Sequence, residues 1–284
     1  FTLLLNIGLN AVFIYGLFGA PKLGVMGVAI ATTTSRIVQF FICLIISHYS
    51  KDIKLRLRTI FEKNALLLKD FVQLSLPALI NSLVWSTAFS SYTAILGHLS
   101  SDVVAANSIV SVVRNFGAVF CYAVAGSSGI YIGKDIGANK TEEAKANSKR
   151  AMTLMVITGI LAGIIIFTIT PLVLKIAALS ETAMRYLKIM LYINSVYVMG
   201  TAVNGTMITG IFRAGGDSKF GMICDFFDMW CYAVPLGLIS AFVFKLPPMV
   251  VYILLCTDEF VKWPWVFKHY KSGKWLNNIT REFE

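Results

Sequence analysis

The sequence predicts an all-α integral membrane protein, a multi-pass helical bundle of about eight spans, on three grounds. Hydrophobic residues make up 57% of the 284 residues and charged residues only 14%, whereas a soluble domain carries about 25% charge. The apolar residues gather in long runs, close to the roughly 20 residues that a helix needs to cross the hydrocarbon core. The sequence lacks the alternating segments of about 10 residues that would build a β-barrel, the other structure able to span a bilayer.

Taken in order, the runs lie at about 1–19, 24–48, 71–97, 103–133, 151–176, 185–211, 220–244 and 249–268 on the length criterion. The first begins at Phe1 without a charged n-region or cleavage site, so it reads as the middle of a helix whose N-terminal part is expected to be missing. Between the second and third runs, His48 to Asp70 alternates charge with aliphatic residues. That pattern suits either an interfacial amphipathic helix between two lobes or a solvated loop. Thr141 is expected to cap the helix that begins Glu142-Glu143.

The connections alternate in charge. Lys51, Lys54, Arg56, Arg58, Lys63 and Lys69 follow the second run, and Lys134, Lys140, Lys145, Lys149 and Arg150 follow the fourth. Arg213 and Lys219 follow the sixth, and Lys268, Lys271, Lys274 and Arg281 follow the last. The opposite connections offer Lys22, Lys175 and Lys245, with Arg185 and Lys188 as the local exception. Lys and Arg in short loops stay in the cytoplasm, so the C-terminus is expected there. Gly215-Gly216 permits the tight reversal in the basic turn from Gly210 to Phe220.

The charges inside the runs are the candidate functional residues. An acid at that depth costs roughly 2.5 to 3.5 kcal/mol and seldom persists without a partner, a wet cavity or an ion. Asp225 and Asp228 share one helix face by their spacing, with Asp225 about one turn from the membrane boundary. Asp258 and Glu259 lie near the midplane, with Lys262 at i+4 and i+3, as a self-neutralising ion pair or as a carboxylate that exchanges a proton or Na⁺. Arg36 and Arg114 are single in-span cations that could partner acids. Asn81, Asn107, Asn115, Asn194 and Asn204 offer neutral hydrogen bonds, and Gly126-Ser127-Ser128-Gly129 and the Gly159, Gly163 pair let helices approach closely. Pro77, Pro171, Pro235 and Pro264 mark kinks or helix ends.

Other chemistries are disfavoured. Cys43, Cys121, Cys224, Cys231 and Cys256 lie in apolar runs without CxxC spacing or His neighbours, so they read as small core residues rather than disulfides or a zinc site. His48, His98 and His269 are scattered near span ends, and no nucleophile, metal or phosphate-loop constellation accompanies them, which argues against an enzyme and against a cofactor. The net charge of +10 would suggest nucleic acid on a soluble protein, but here it follows the loops. No nucleic-acid partner is expected.

Three stretches together resemble the multidrug and toxic compound extrusion (MATE) transporters, whose superfamily also holds lipid-linked oligosaccharide flippases. They are Asn6 to Asn10 with Pro21 to Thr32; Gly97-His98-Leu99-Ser100-Ser101 with Ala105-Ala106-Asn107; and Phe212-Arg213-Ala214-Gly215-Gly216-Asp217. The resemblance implies a twelve-helix fold of two six-helix lobes around a cavity open alternately to either side. On that footing residues 1–48 hold part of helix five and helix six, 49–65 the cytoplasmic interlobe linker, 66–270 the C-terminal lobe, and 271–284 a cytoplasmic tail. Many relatives carry an acid about a turn after the helix-seven proline, where this chain has Asn81 and Ser82.

The function so implied is export of cationic or amphipathic organic compounds across the cell membrane in exchange for Na⁺ or H⁺, by a monomer in the lipid bilayer. Asp225, Asp228, Asp258, Glu259, Asn81 and Asn204 are the candidate coupling and cavity residues, with Na⁺ a candidate ligand of Asp258 and Glu259. Trp85, Phe89, Tyr92, Met199 and Met207 are candidate apolar and cation–π contacts. Two alternatives stay open. One is a lipid-linked precursor flippase, supported by Arg36 and Arg114; the other is an inactive scaffold, because four helices of the implied fold would be absent.

Overall fold

The computed structural model describes residues 1–49 and 65–278, and among them it contains helices and turns but no strand. The chain divides into two compact units, Phe1–Ala65 and Leu66–Glu284. The amphipathic stretch expected between lobes falls mostly on residues 50–64, outside the described residues.

The first unit is a hairpin of α1 (Thr2–Tyr15) and α2 (Val25–Tyr49). Gly16, in the left-handed conformation at φ 72°, ends α1 and returns its amide to the Val12 carbonyl. A Cβ on Gly27 would lie 2.8 Å from the Phe13 Cβ, so the absence of a side chain there sets the close crossing of the two helices.

The second unit contains α3 (Ala65–Leu99), α4 (Ser101–Gly137), α5 (Thr141–Ile176), α6 (Glu181–Phe212) and α7 (Ser218–Val243), each long and apolar enough to cross a membrane, as is α2. Two expected spans differ from this pattern. The first is only the 14-residue α1, and the last is broken into α8 (Pro248–Leu255), α9 (Asp258–Val261) and α10 (Trp263–Ser272). Pro264 has no amide hydrogen to return to the preceding turn, which accounts for the break at Lys262. Pro77 and Pro171, by contrast, sit inside continuous helices.

Helix ends follow their local chemistry. The Ser100 and Ser180 hydroxyls accept from the amides of Asp102 and Ala183, both at 3.1 Å, and Ser180 also donates to Asp102 at 2.6 Å, joining two connections at one end of the unit. Asp217 caps α7 by accepting from the Phe220 amide. Thr141 does not cap α5: it is already helical, and Lys140 precedes it without a side-chain cap bond. Beside it, Lys145 donates to Glu142 and holds that exposed carboxyl below its ordinary value.

Glycines allow the inner helices to pack backbone to backbone. A Cβ on Gly163 of α5 would meet the Ser195 carbonyl of α6 at 2.4 Å, and one on Gly210 of α6 would meet the Ala125 carbonyl of α4 at 2.8 Å. The core forms one cluster around Val110, Leu191 and Val251 and another around Ile132, Met207 and Trp275. Outward faces carry large exposed apolar side chains such as Ile130, Val112 and Phe167, as a bilayer-facing surface requires. Of the five free cysteines only Cys121 and Cys224 are buried, while Cys43 and Cys231 face outward, so core packing does not explain all of them.

The basic turns meet at one end. Asn278 donates to Asn139 beyond α4, and the Asn277 amide donates to the Gly215 carbonyl between α6 and α7. A Cβ on Gly215 would fall 1.7 Å from the Trp275 carbonyl, so the segment after α10 docks on a turn that only glycine fits. His269, stacked on Phe220 at 3.7 Å, pairs with Asp217 at 2.6 Å in the same place.

Candidate ion-coupling site

The break in the last span places Lys262 where α7 passes, and its ammonium becomes the centre of an acidic cluster. Lys262 Nζ lies 3.1 Å from Asp225 Oδ1, 3.5 Å from Asp228 Oδ2 and 3.3 Å from Glu259 Oε2, with no exposure of the lysine. Asp225 and Asp228 reach it together from one face of α7. The helix widens to a π-helix at Phe227–Ala233, which carries Asp228. Such bulges are frequent at functional sites.

Neutral groups hold the carboxylates in place. Asn81 Nδ2 donates to Asp225 at 2.7 Å, and Asn204 Nδ2 donates to both the carbonyl and the carboxylate of Glu259. Thr201 donates to Glu259 at 3.5 Å. Asp258 accepts from the Tyr92 hydroxyl at 3.1 Å and from the Glu259 amide at 2.8 Å. Gly200 makes room for this corner, since a Cβ there would lie 2.6 Å from the Glu259 Cβ. The structure thus brings all six candidate residues, Asn81, Asn204, Asp225, Asp228, Asp258 and Glu259, into one buried assembly.

Three expectations change. Asp225, expected close to water, is 2% exposed and paired with Lys262. Asp258 is not the lysine's partner, because the helix break turns Lys262 toward α7 and leaves Asp258 to Tyr92. Arg114 finds no acid among the described residues and lies over the rings of Phe89 and Tyr197, at 5.2 and 5.9 Å. Of the candidate contact residues, Trp85 lies 5.5 Å from the Lys262 ammonium, whereas Met207 is fully buried in the core and Met199 packs against Gly159 and Gly163. The roles of Tyr92 and Gly200 toward the acids, and the pairing of Lys262 with α7, depend on contacts between helices that sequence spacing does not encode.

Charge defines what the cluster can do. Four carboxylates against one ammonium leave a formal charge of −3 when all are ionised, among side chains at most 2% exposed. Such an excess is costly at low dielectric and favours uptake of a proton or a small cation. Both oxygens of Asp228 and Oδ1 of Asn204 make no hydrogen bond. Among the described residues no three of His, Cys, Asp and Glu converge as ligands of one metal ion. Asp225 and Lys262 also form part of the wall of a cavity of about 420 Å³ with Trp85 and Asn204.

Six helices long and apolar enough to cross a membrane, with a buried charge cluster among them, define the class as a multi-pass helical membrane protein. The MatE family model matches residues 77–239, more than half of the chain, and the chain belongs to the MatE family of transporters. It is 27% identical over 243 residues to the "Probable multidrug resistance protein NorM" of Mannheimia succiniciproducens, covering 84% of this chain and 51% of that protein. It is 23% identical over 283 residues to the "Uncharacterized transporter YisQ" of Bacillus subtilis, covering 96% and 60%. The fold matches a crystal structure of a MATE protein in the straight conformation, with TM-score 0.80 at 20% identity over 95% of this chain and 62% of that one. The eukaryotic MATE transporter AtDTX14 gives TM-score 0.81 at 18% identity, over 97% and 61%. The chain therefore spans about half to three-fifths of the length of the curated relatives it matches.

Proposed function

We propose that the chain forms part of an efflux carrier that exports amphipathic organic compounds from the cell in exchange for Na⁺ or H⁺, with the Lys262-centred acids as the coupling site. The observation that carries this is the uncompensated charge of Asp225, Asp228, Asp258 and Glu259, reachable through Asp225, which borders a cavity. Ion and substrate cation would compete for Asp225, so that occupancy by one expels the other. The multidrug resistance named for the NorM relative supports the substrate class. The flippase alternative is weaker, because Arg36 donates to Gln39 on an exposed face and so leaves Arg114 as its main support.

In a carrier of the family's full length that contains this segment, assayed in vesicles, Glu259→Gln and Asp258→Asn are expected to abolish ion-driven efflux while leaving expression and folding nearly intact. Wild-type efflux with unchanged ion dependence in both variants would move coupling away from these acids.

The carrier is placed in the cell membrane as a monomer, with the basic end of the bundle in the cytoplasm. Lys145 and Lys245 are both exposed. A cysteine at Lys145 is expected to react only with reagents on the cytoplasmic side, and one at Lys245 only from outside. Labelling of Lys145→Cys by an impermeant external reagent on intact cells would reverse that orientation.

A further inference from the structure

Away from the acids, α4 presents a row of unspent hydrogen-bond donors. Asn107, Ser111 and Arg114 recur at intervals that place them on one helix face, and all three line a cavity of about 280 Å³ with Phe89 of α3 and Tyr197 of α6. Among the described residues none of these three polar side chains makes a hydrogen bond, and Arg114 has no carboxylate partner. A guanidinium at membrane depth is costly without a counter-charge. Its guanidinium carbon lies over the rings of Phe89 and Tyr197, 5.2 and 5.9 Å from their centres, and the side chain lines the cavity without spending its N–H groups on protein acceptors. Those groups match a carboxylate in a bidentate pair, which a point-charge ammonium would not reproduce.

We propose that this cavity is an anion subsite, in which Arg114 pairs with the carboxylate of an aromatic zwitterion while Asn107 and Ser111 donate to the same group. The assignment rests on the transport function proposed above and adds the part of the substrate that a purely acidic site leaves unexplained. A simple organic cation would meet repulsion from Arg114, and a neutral hydrocarbon would leave three donors unmatched. A zwitterion satisfies both ends. A second cavity of about 180 Å³ shares Phe89, Arg114 and Tyr197 with the first. It shares Trp85, Tyr122 and Thr201 with the cavity bounded by Asp225, so aromatic walls link the anion subsite to the acids. Tyr92 lines the first cavity and donates to Asp258, which sets the two charged regions one side chain apart.

The test is equilibrium binding to the chain in phosphatidylcholine nanodiscs, with a zwitterionic rhodamine that carries a free benzoate and the same dye as its methyl ester. The wild type is expected to prefer the acid by at least about tenfold, or 1.4 kcal/mol. Arg114→Gln is expected to erase that preference, and Arg114→Lys, which keeps the charge but not the fork, to retain a weakened one. Equal affinity of the wild type for acid and ester, or an acid preference that survives in Arg114→Gln, would overturn the subsite. Replacing half of the lipid by phosphatidylglycerol is expected to leave acid binding unchanged. Displacement of the dye by that lipid, lost in Arg114→Gln, would assign the site to a lipid headgroup and overturn the proposal as well. No ion gradient enters the measurement, so loss of acid preference is distinguishable from failure of ion-coupled transport.

Discussion

Lys262→Met is expected to be the most destabilising single change in the bundle. The lysine is the only cation touching Asp225, Asp228 and Glu259 among the described residues, and all four side chains are buried. Removing one partner of a buried ion pair typically costs about 3 to 5 kcal/mol, because the remaining charge keeps its desolvation penalty. Here three carboxylates lose the same partner. Thermal unfolding in detergent should therefore show a large fall in midpoint, and the double variant Lys262→Met with Asp225→Asn should recover part of it by reducing the charge excess. That recovery separates electrostatics from lost packing, since the second change adds no volume. A Lys262→Met midpoint equal to the wild type would mean that the cluster is already neutralised without the lysine.

Gly200→Ala is expected to have the next largest effect, acting through geometry alone. The added methyl would sit 2.6 Å from the Glu259 Cβ and 3.5 Å from the Phe260 ring. Neither neighbour is the free end of a flexible chain, so α9 must shift. Overpacking of this kind costs about 1 to 3 kcal/mol. The shift would lengthen the bonds from Asn204 and Thr201 to Glu259, so ion dependence should change along with stability. A variant with wild-type midpoint and wild-type ion dependence would show that α9 is not held against α6 as described.

These expectations mark what could be read in the sequence. The long apolar runs predicted α2 through α7, because length and composition alone decide whether a helix can cross a bilayer. The spacing of Asp225 and Asp228 predicted their shared face, since that is a property of one helix. The break around Lys262 was signalled only by Pro264, and an unbroken helix would have left the lysine beside Asp258. Its turn toward α7 depends on tertiary packing. For the same reason Met207 looked like a cavity residue but is buried in the core, Met199 packs against Gly159 and Gly163, and Asp225, near the turn in sequence, is buried and accepts from Asn81 of α3. The close approach of Gly200 to Glu259 joins residues far apart in the chain, and no local pattern announces it.

Whether the cluster exchanges protons or Na⁺ can be read by infrared difference spectroscopy of the carboxyl stretching region. Carboxyl bands are expected to respond to added Na⁺ or to a pH step, to diminish in Asp258→Asn and Glu259→Gln, and to be unchanged in Glu142→Gln at the exposed start of α5. Bands indifferent to both Na⁺ and pH, or a response that persists with Asp225, Asp228, Asp258 and Glu259 all replaced by their amides, would contradict exchange at the cluster.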